Sequence, residues 1–101
     1  MTHLAPILYE FYALAFRNPA VRQALQTDLR RYVTLAVPLF QQGIDRGEFQ
    51  PVDAQQAANA LAAIIEGTLL LWVFDHAALD LEPQIATSVG FLLDGLQHPA
   101  P

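Results

Sequence analysis

The chain has 101 residues, ten acidic side chains against five basic ones, and a formal charge of −5. One compact domain fits this length. The basic five are all arginine, and they are too few and too scattered to form the positive surface that neutralises nucleic-acid phosphates. With no cysteine there is no disulfide, thiolate metal site or cysteine nucleophile, a composition that fits the cytoplasm. No basic segment followed by an apolar one opens the chain, so no signal peptide is expected.

Helical spacing runs throughout, without the alternation or Asn-Gly turns of hairpins. A first helix is predicted from about Ala5 to Arg17, with Leu8, Phe11, Tyr12, Ala15 and Phe16 recurring along it and Pro6 tolerated in its first turn. Asn18 reads as an N-cap and Pro19 as the first residue of a second helix that reaches about Arg46. Its apolar stripe is Val21, Leu25, Leu29, Tyr32, Val33, Ala36, Leu39, Phe40 and Ile44. Arg22, Gln26, Arg30 and Arg31 lie largely off that stripe. Pro38 removes a backbone donor and predicts a kink near Thr34 to Pro38. Gly47 supplies the left-handed residue past the helix end, and "EFQPV" is a short connection. A third helix opens at Asp53, with Gln56 three residues on in a variant of the capping box, and reaches Asp75 or His76. A fourth opens at Asp80, carries Leu81, Ile85, Val89, Leu92 and Leu96 on one face, and fails at Gly95 and "HPAP".

The third helix raises the main question. From Ala60 to Phe74 it reads "ALAAIIEGTLLLWVF". That run is short of the roughly 20 apolar residues of a membrane span and carries Glu66 near its middle, so no span is expected. Yet Leu69 to Phe74 point in every direction, and an exposed apolar patch of that size is rare on a soluble monomer. In the fourth helix Ala86 and Gly90, four apart, adjoin Phe91 and Leu93, and Gly67 lies in the third. Small residues at such spacing suit either ordinary packing within one chain or a homodimer. In the dimer, the last two helices of two copies form a four-helix bundle. Its interface would hold Leu70, Trp72, Val73, Phe74, Ala86, Val89, Gly90, Phe91 and Leu93. Each large side chain buried there contributes roughly 1.5–3 kcal/mol.

Glu66 among Ile64, Ile65 and Leu69 needs a partner or a proton; it either bonds a ligand or meets a neighbour at the edge of the bundle. Tyr9, Phe11, Tyr12, Phe16, Tyr32 and Phe40 give the first two helices an aromatic lining that serves a core or a pocket. If a pocket exists, Tyr9, Tyr12, Arg31, Tyr32, Phe40, Glu66 and Thr68 are the residues placed to hold an apolar or weakly acidic effector. Asp75, His76, Asp80 and Glu82 match no metal-ligand spacing, and His76 suits a helix C-terminus. His3 and His98 carry no signal. No metal and no cofactor are expected. Ser88 is the only serine, and neither a phosphate loop nor a carboxylate pair appears, so no enzyme is expected.

The order "LYEFYALAFRNPAVRQAL", "FQQGIDRGEFQPVDAQQAANALAAIIEGTLLL", "FLLDGL" resembles the C-terminal domain of TetR-type transcriptional regulators along essentially the whole chain. The matching points are the Arg-Asn-Pro turn, Gly43 with Gly47, Glu48 and Phe49, the Glu66–Gly67 pair, and Leu93, Asp94, Gly95 and Leu96. The resemblance implies an all-α, four-helix regulatory domain spanning residues 1–101, dimeric through its last two helices and responsive to a small-molecule effector. It also implies a cytoplasmic protein that meets DNA only through an N-terminal helix-turn-helix domain, for which nothing in this chain is suited. The alternative is a self-contained helical module whose apolar face binds a partner protein's helix.

Overall fold

A computed structural model describes residues 4–97; His3 and His98 lie outside them. Four helices follow in chain order: α1 (Leu4–Arg17), α2 (Pro19–Asp45), α3 (Ala54–Phe74) and α4 (Leu81–Leu96). The fold is all-α, as the periodicity predicts. Among the described residues the extended backbone is limited to an isolated bridge between Phe49 and Gln97.

The helix boundaries follow the local chemistry. Asn18 Oδ1 accepts from the Ala20 and Val21 N–H groups at 3.0 and 3.3 Å, ahead of Pro19. Asp53 Oδ1 accepts from Gln55 and Gln56 at 2.8 and 3.3 Å. These bonds satisfy donors that the first turn leaves without partners. Asp80 occupies the corresponding place before α4, but its side chain makes no capping bond. Gly47 has φ +76°, the conformation that ends α2. Pro38 lies within α2, which continues across it as one helix of 27 residues. α3 stops at Phe74, just short of the Asp75 or His76 end that its periodicity suggests; the Asp75 N–H still reaches Leu71 O at 3.0 Å.

α3 is the hub. It packs against α1, α2 and α4, whereas the backbone of α4 comes close to no helix but α3. Where α2 crosses α3, the core is Phe40, Ala54, Ala57 and Ala58, flanked by Val33, Ala36, Val37, Ile44, Leu61 and Leu92. Alanines there bring the helices close, since interaxial distance follows side-chain size at the contact. At the other end Trp72 and Val73 pack with Ala5, Leu8 and Tyr12 of α1 and with Leu79 and Leu81. The predicted stripe of α2 is wider than the face it buries. Val33, Ala36, Phe40 and Ile44 turn toward α3, while Tyr32 and Leu39 are exposed, because α1 and α3 together cover only part of the circumference of α2.

The Cα envelope measures 48 × 31 × 15 Å. Enclosing a helix needs neighbours above and below it, about 20 Å between the outer axes, so a slab this thin leaves α3 open on one side. By length and composition α3 is apolar enough to cross a membrane; the short run read from Ala60 is extended by Ala54–Asn59, and Gln55, Gln56 and Asn59 on that extension are exposed.

The caps differ in a measurable way. Asn18→Ala and Asp53→Ala should each cost about 1 kcal/mol of unfolding free energy, and Asp80→Ala, which removes no capping bond, distinctly less. Urea midpoints at unchanged m-value are the check; equal losses for Asp53→Ala and Asp80→Ala would contradict the assignment.

Candidate functional site

Residues four and three apart on α1 put Tyr9, Tyr12 and Phe16 along one side of that helix. Facing them from α3 are Leu70, Val73 and Phe74. Between the two helices lies an apolar groove of about 180 Å³. The Tyr9 and Phe74 rings meet edge-on at its rim, with centroids 6.1 Å apart and planes at 83°, the arrangement the ring quadrupoles favour.

Tyr12, on the wall of the groove, makes one hydrogen bond between the helices. The Tyr12 hydroxyl donates to Glu66 Oε2 at 3.0 Å, and both residues are half-buried. Glu66 therefore resolves the dilemma posed by its apolar neighbours through a partner 54 positions away. The phenol is pushed up to about 12, first by burial, then by its hydrogen bond to Glu66, then by the carboxylate's charge. All three disfavour a phenolate.

The other residues proposed for an effector site do not converge on this groove. Thr68 is buried and turns its hydroxyl onto Ile64 O at 2.7 Å, satisfied within its own helix. Phe40 belongs to the α2–α3 core, where its ring lies 6.1 Å from that of Phe49. Arg31 and Tyr32 are exposed on α2 and do not line the groove. Phe16, one of the aromatics read as lining a core or a pocket, lines it, and so does Ala13, which was not singled out; each lies four residues from a tyrosine of the groove, Phe16 from Tyr12 and Ala13 from Tyr9.

The residues proposed for an interface also divide. Trp72, 4% exposed, and Val73 turn inward onto α1. This corrects their assignment to an outward face: they are the part of the apolar girdle that α1 covers. Val89 and Leu93 are half-buried and look into a cleft shared with α2 and Leu61. Gly90 is half-buried and Ala86 exposed. Leu70 at 37%, Phe74 at 67% and Phe91 at 73% remain open to solvent. Leu71, not among the residues proposed, is 63% exposed; Gly67, Leu71 and Phe74 follow the helical interval of four and three. At the α3–α4 turn His76, Asp80 and Glu82 line a shallow depression with Trp72, and no group of three metal-ligating side chains is found among the described residues.

The Tyr12–Glu66 bond has a pH signature. A phenol whose folded pKa is raised favours the folded state below its unfolded value near 10, and that contribution is lost as the pH rises toward 12. Unfolding free energy should fall across this window, and Tyr12→Phe should flatten the fall and remove the tyrosinate absorbance that develops near pH 12. An unaltered high-pH absorbance titration in Tyr12→Phe would refute the assignment.

Comparison with known proteins agrees with the helical pattern. Residues 4–96 match the family described as BetI-type transcriptional repressor, C-terminal. A stretch of 49 residues is 45% identical to an uncharacterized HTH-type transcriptional regulator, YfiR, of Bacillus subtilis (strain 168), covering 48% of this chain and 24% of that protein. The matched region is thus about a quarter of the relative's length. No solved structure matches. This family is one of transcriptional regulators and not of enzymes. With a match spanning nearly every described residue on an all-α scaffold, the chain belongs to the BetI-type C-terminal domains of the TetR transcriptional regulators.

Proposed function

We propose that this domain joins two copies of a cytoplasmic TetR-type regulator and senses a small-molecule effector, with DNA contact left to a helix-turn-helix head outside this chain. One observation carries the reading: Leu70, Leu71 and Phe74 of α3 and Phe91 of α4 stand exposed on a slab too thin to enclose α3. A second copy supplies the missing layer. Antiparallel or crossed pairing of α3 and α4 with their counterparts gives a four-helix bundle, self-complementary about a two-fold axis.

The α1–α3 groove is the candidate effector site. Its walls are apolar and aromatic, and the Tyr12–Glu66 pair supplies polar atoms that orient a ligand, the usual composition of a small-molecule pocket. At about 180 Å³ it is below the usual range of roughly 300–1,000 Å³, so an effector would either be small or widen the gap between α1 and α3. Widening moves α1 relative to the helix that carries the dimer face. An effector favouring one arrangement shifts the spacing of two DNA-reading heads by no more than its differential affinity permits.

Light scattering on the purified chain tests the dimer. A two-chain particle is expected, and Leu71→Asp or Phe91→Asp should weaken it by at least tenfold, in line with the roughly 1.5–3 kcal/mol that each buried apolar side chain contributes. Unchanged helical circular dichroism would show that the variants still fold. A wild-type chain that stays monomeric at high concentration would discard the dimer and favour a module that binds a different partner.

A further inference from the structure

The connection between α2 and α3 does more than join them. Gly43 is buried, and a Cβ there would run into the Phe49 ring. The Gly43 carbonyl accepts from the Glu48 and Phe49 N–H groups at 2.9 and 3.1 Å. The turn at Gly47 thus folds Phe49 back onto the last turns of α2, in a place open only because residue 43 lacks a side chain. The next residue reaches the far end of the chain. The Gln50 N–H donates to Leu96 O at 2.7 Å, and Gln50 Nε2 donates to Gly95 O at 3.2 Å and Gln97 O at 3.0 Å. Gly95, Leu96 and Gln97 carry carbonyls that the end of α4 leaves without intrahelical partners, and one glutamine bonds all of them.

α2 and α4 otherwise approach only through side chains of the shared apolar core, Phe40 on one and Leu92, Leu93 and Leu96 on the other. No Cα of one helix comes within 8 Å of the other, and an apolar cleft of about 250 Å³, lined by Leu39, Phe40, Val89 and Leu93 among others, separates them. The hydrogen-bonded link between the end of α2 and the end of α4 is therefore the segment 46–52.

We propose that this segment is a strap that couples the two helices: Phe49 seated on Gly43 sets the position of Gln50, and Gln50 holds the C-terminal turn of α4. A displacement of Phe49 is then delivered to α4, a helix with no fully buried residue of its own. The strap operates within one chain and does not depend on the dimer.

Amide hydrogen exchange on the full chain tests it, since local opening is read residue by residue. Gly43→Ala, which touches nothing in α4, should speed exchange at residues 92–97 by about fivefold, the weight of one net hydrogen bond, while α1 and the middle of α3 are unaffected. Gln50→Ala should do the same. The double variant should be no faster there than either single one, because both break the same strap. Should Gly43→Ala fail to fold, Phe49→Ala displaces the same wedge and carries the same expectation. A response confined to residues 43–50, additive effects in the double variant, or a uniform acceleration across all four helices would each overturn the proposal.

Discussion

A helix whose last turns, Leu69 to Phe74, are apolar on every side, set in a slab 15 Å thick, is the constraint on which the rest of the molecule depends. α3 has to be covered, and one chain of this length has three helices with which to do it. α1 covers the side bearing Trp72 and Val73, and α2 covers the alanine-rich beginning at Ala54, Ala57 and Ala58. α4 takes part of what remains. The strip through Leu71 and Phe74 is left over. Its exposure is a matter of geometry, since rotating α3 would bury those residues only by exposing Trp72 or the alanines. In the dimer proposed above, a copy of the same surface meets this remainder with matching chemistry.

The same crowding explains the polar pair. Glu66 lies in the middle of the apolar helix, where an isolated carboxylate is costly. Tyr12 reaches it with a hydroxyl that donates to Oε2, and burial and the carboxylate together push that phenol up to about 12. It links α1 to α3 beside the aromatic groove. Tyr12 both lines the groove and makes this bond, so the hold on α1 is set at the wall of the groove. The groove and the seam between two helices are thus one structural feature.

How much of this was legible in the chain depended on the range of the interaction. Asn18, Asp53 and Gly47 act within a few residues of themselves, and their residue types announce the conformations they adopt. The girdle at Leu69 to Phe74 showed that something outside the helix had to cover it, but uniform apolarity carries no phase; nothing in the string separates Trp72, which faces α1, from Leu71, which faces solvent. Tyr12 and Glu66 were each conspicuous, yet a bond across 54 positions depends on the crossing of α1 with α3. Arg31, Tyr32 and Phe40 failed to join a site for the converse reason: they share a helix with one another but not a face with the groove. Gln50 gave no sign at all, because its partners are backbone carbonyls at the other end of the chain.

α4 is where these threads meet. Its cap residue makes no side-chain bond, it buries no residue fully, and its backbone comes close to no helix but α3. An isolated helix of its length is marginal in water, so its persistence rests on one packed face and on Gln50 at its C-terminal end. The opposite face presents Phe91. A helix held this lightly gains most from a second layer and moves most readily when its neighbours shift. Of the four helices, α4 is therefore the one whose position depends most on what lies beside it.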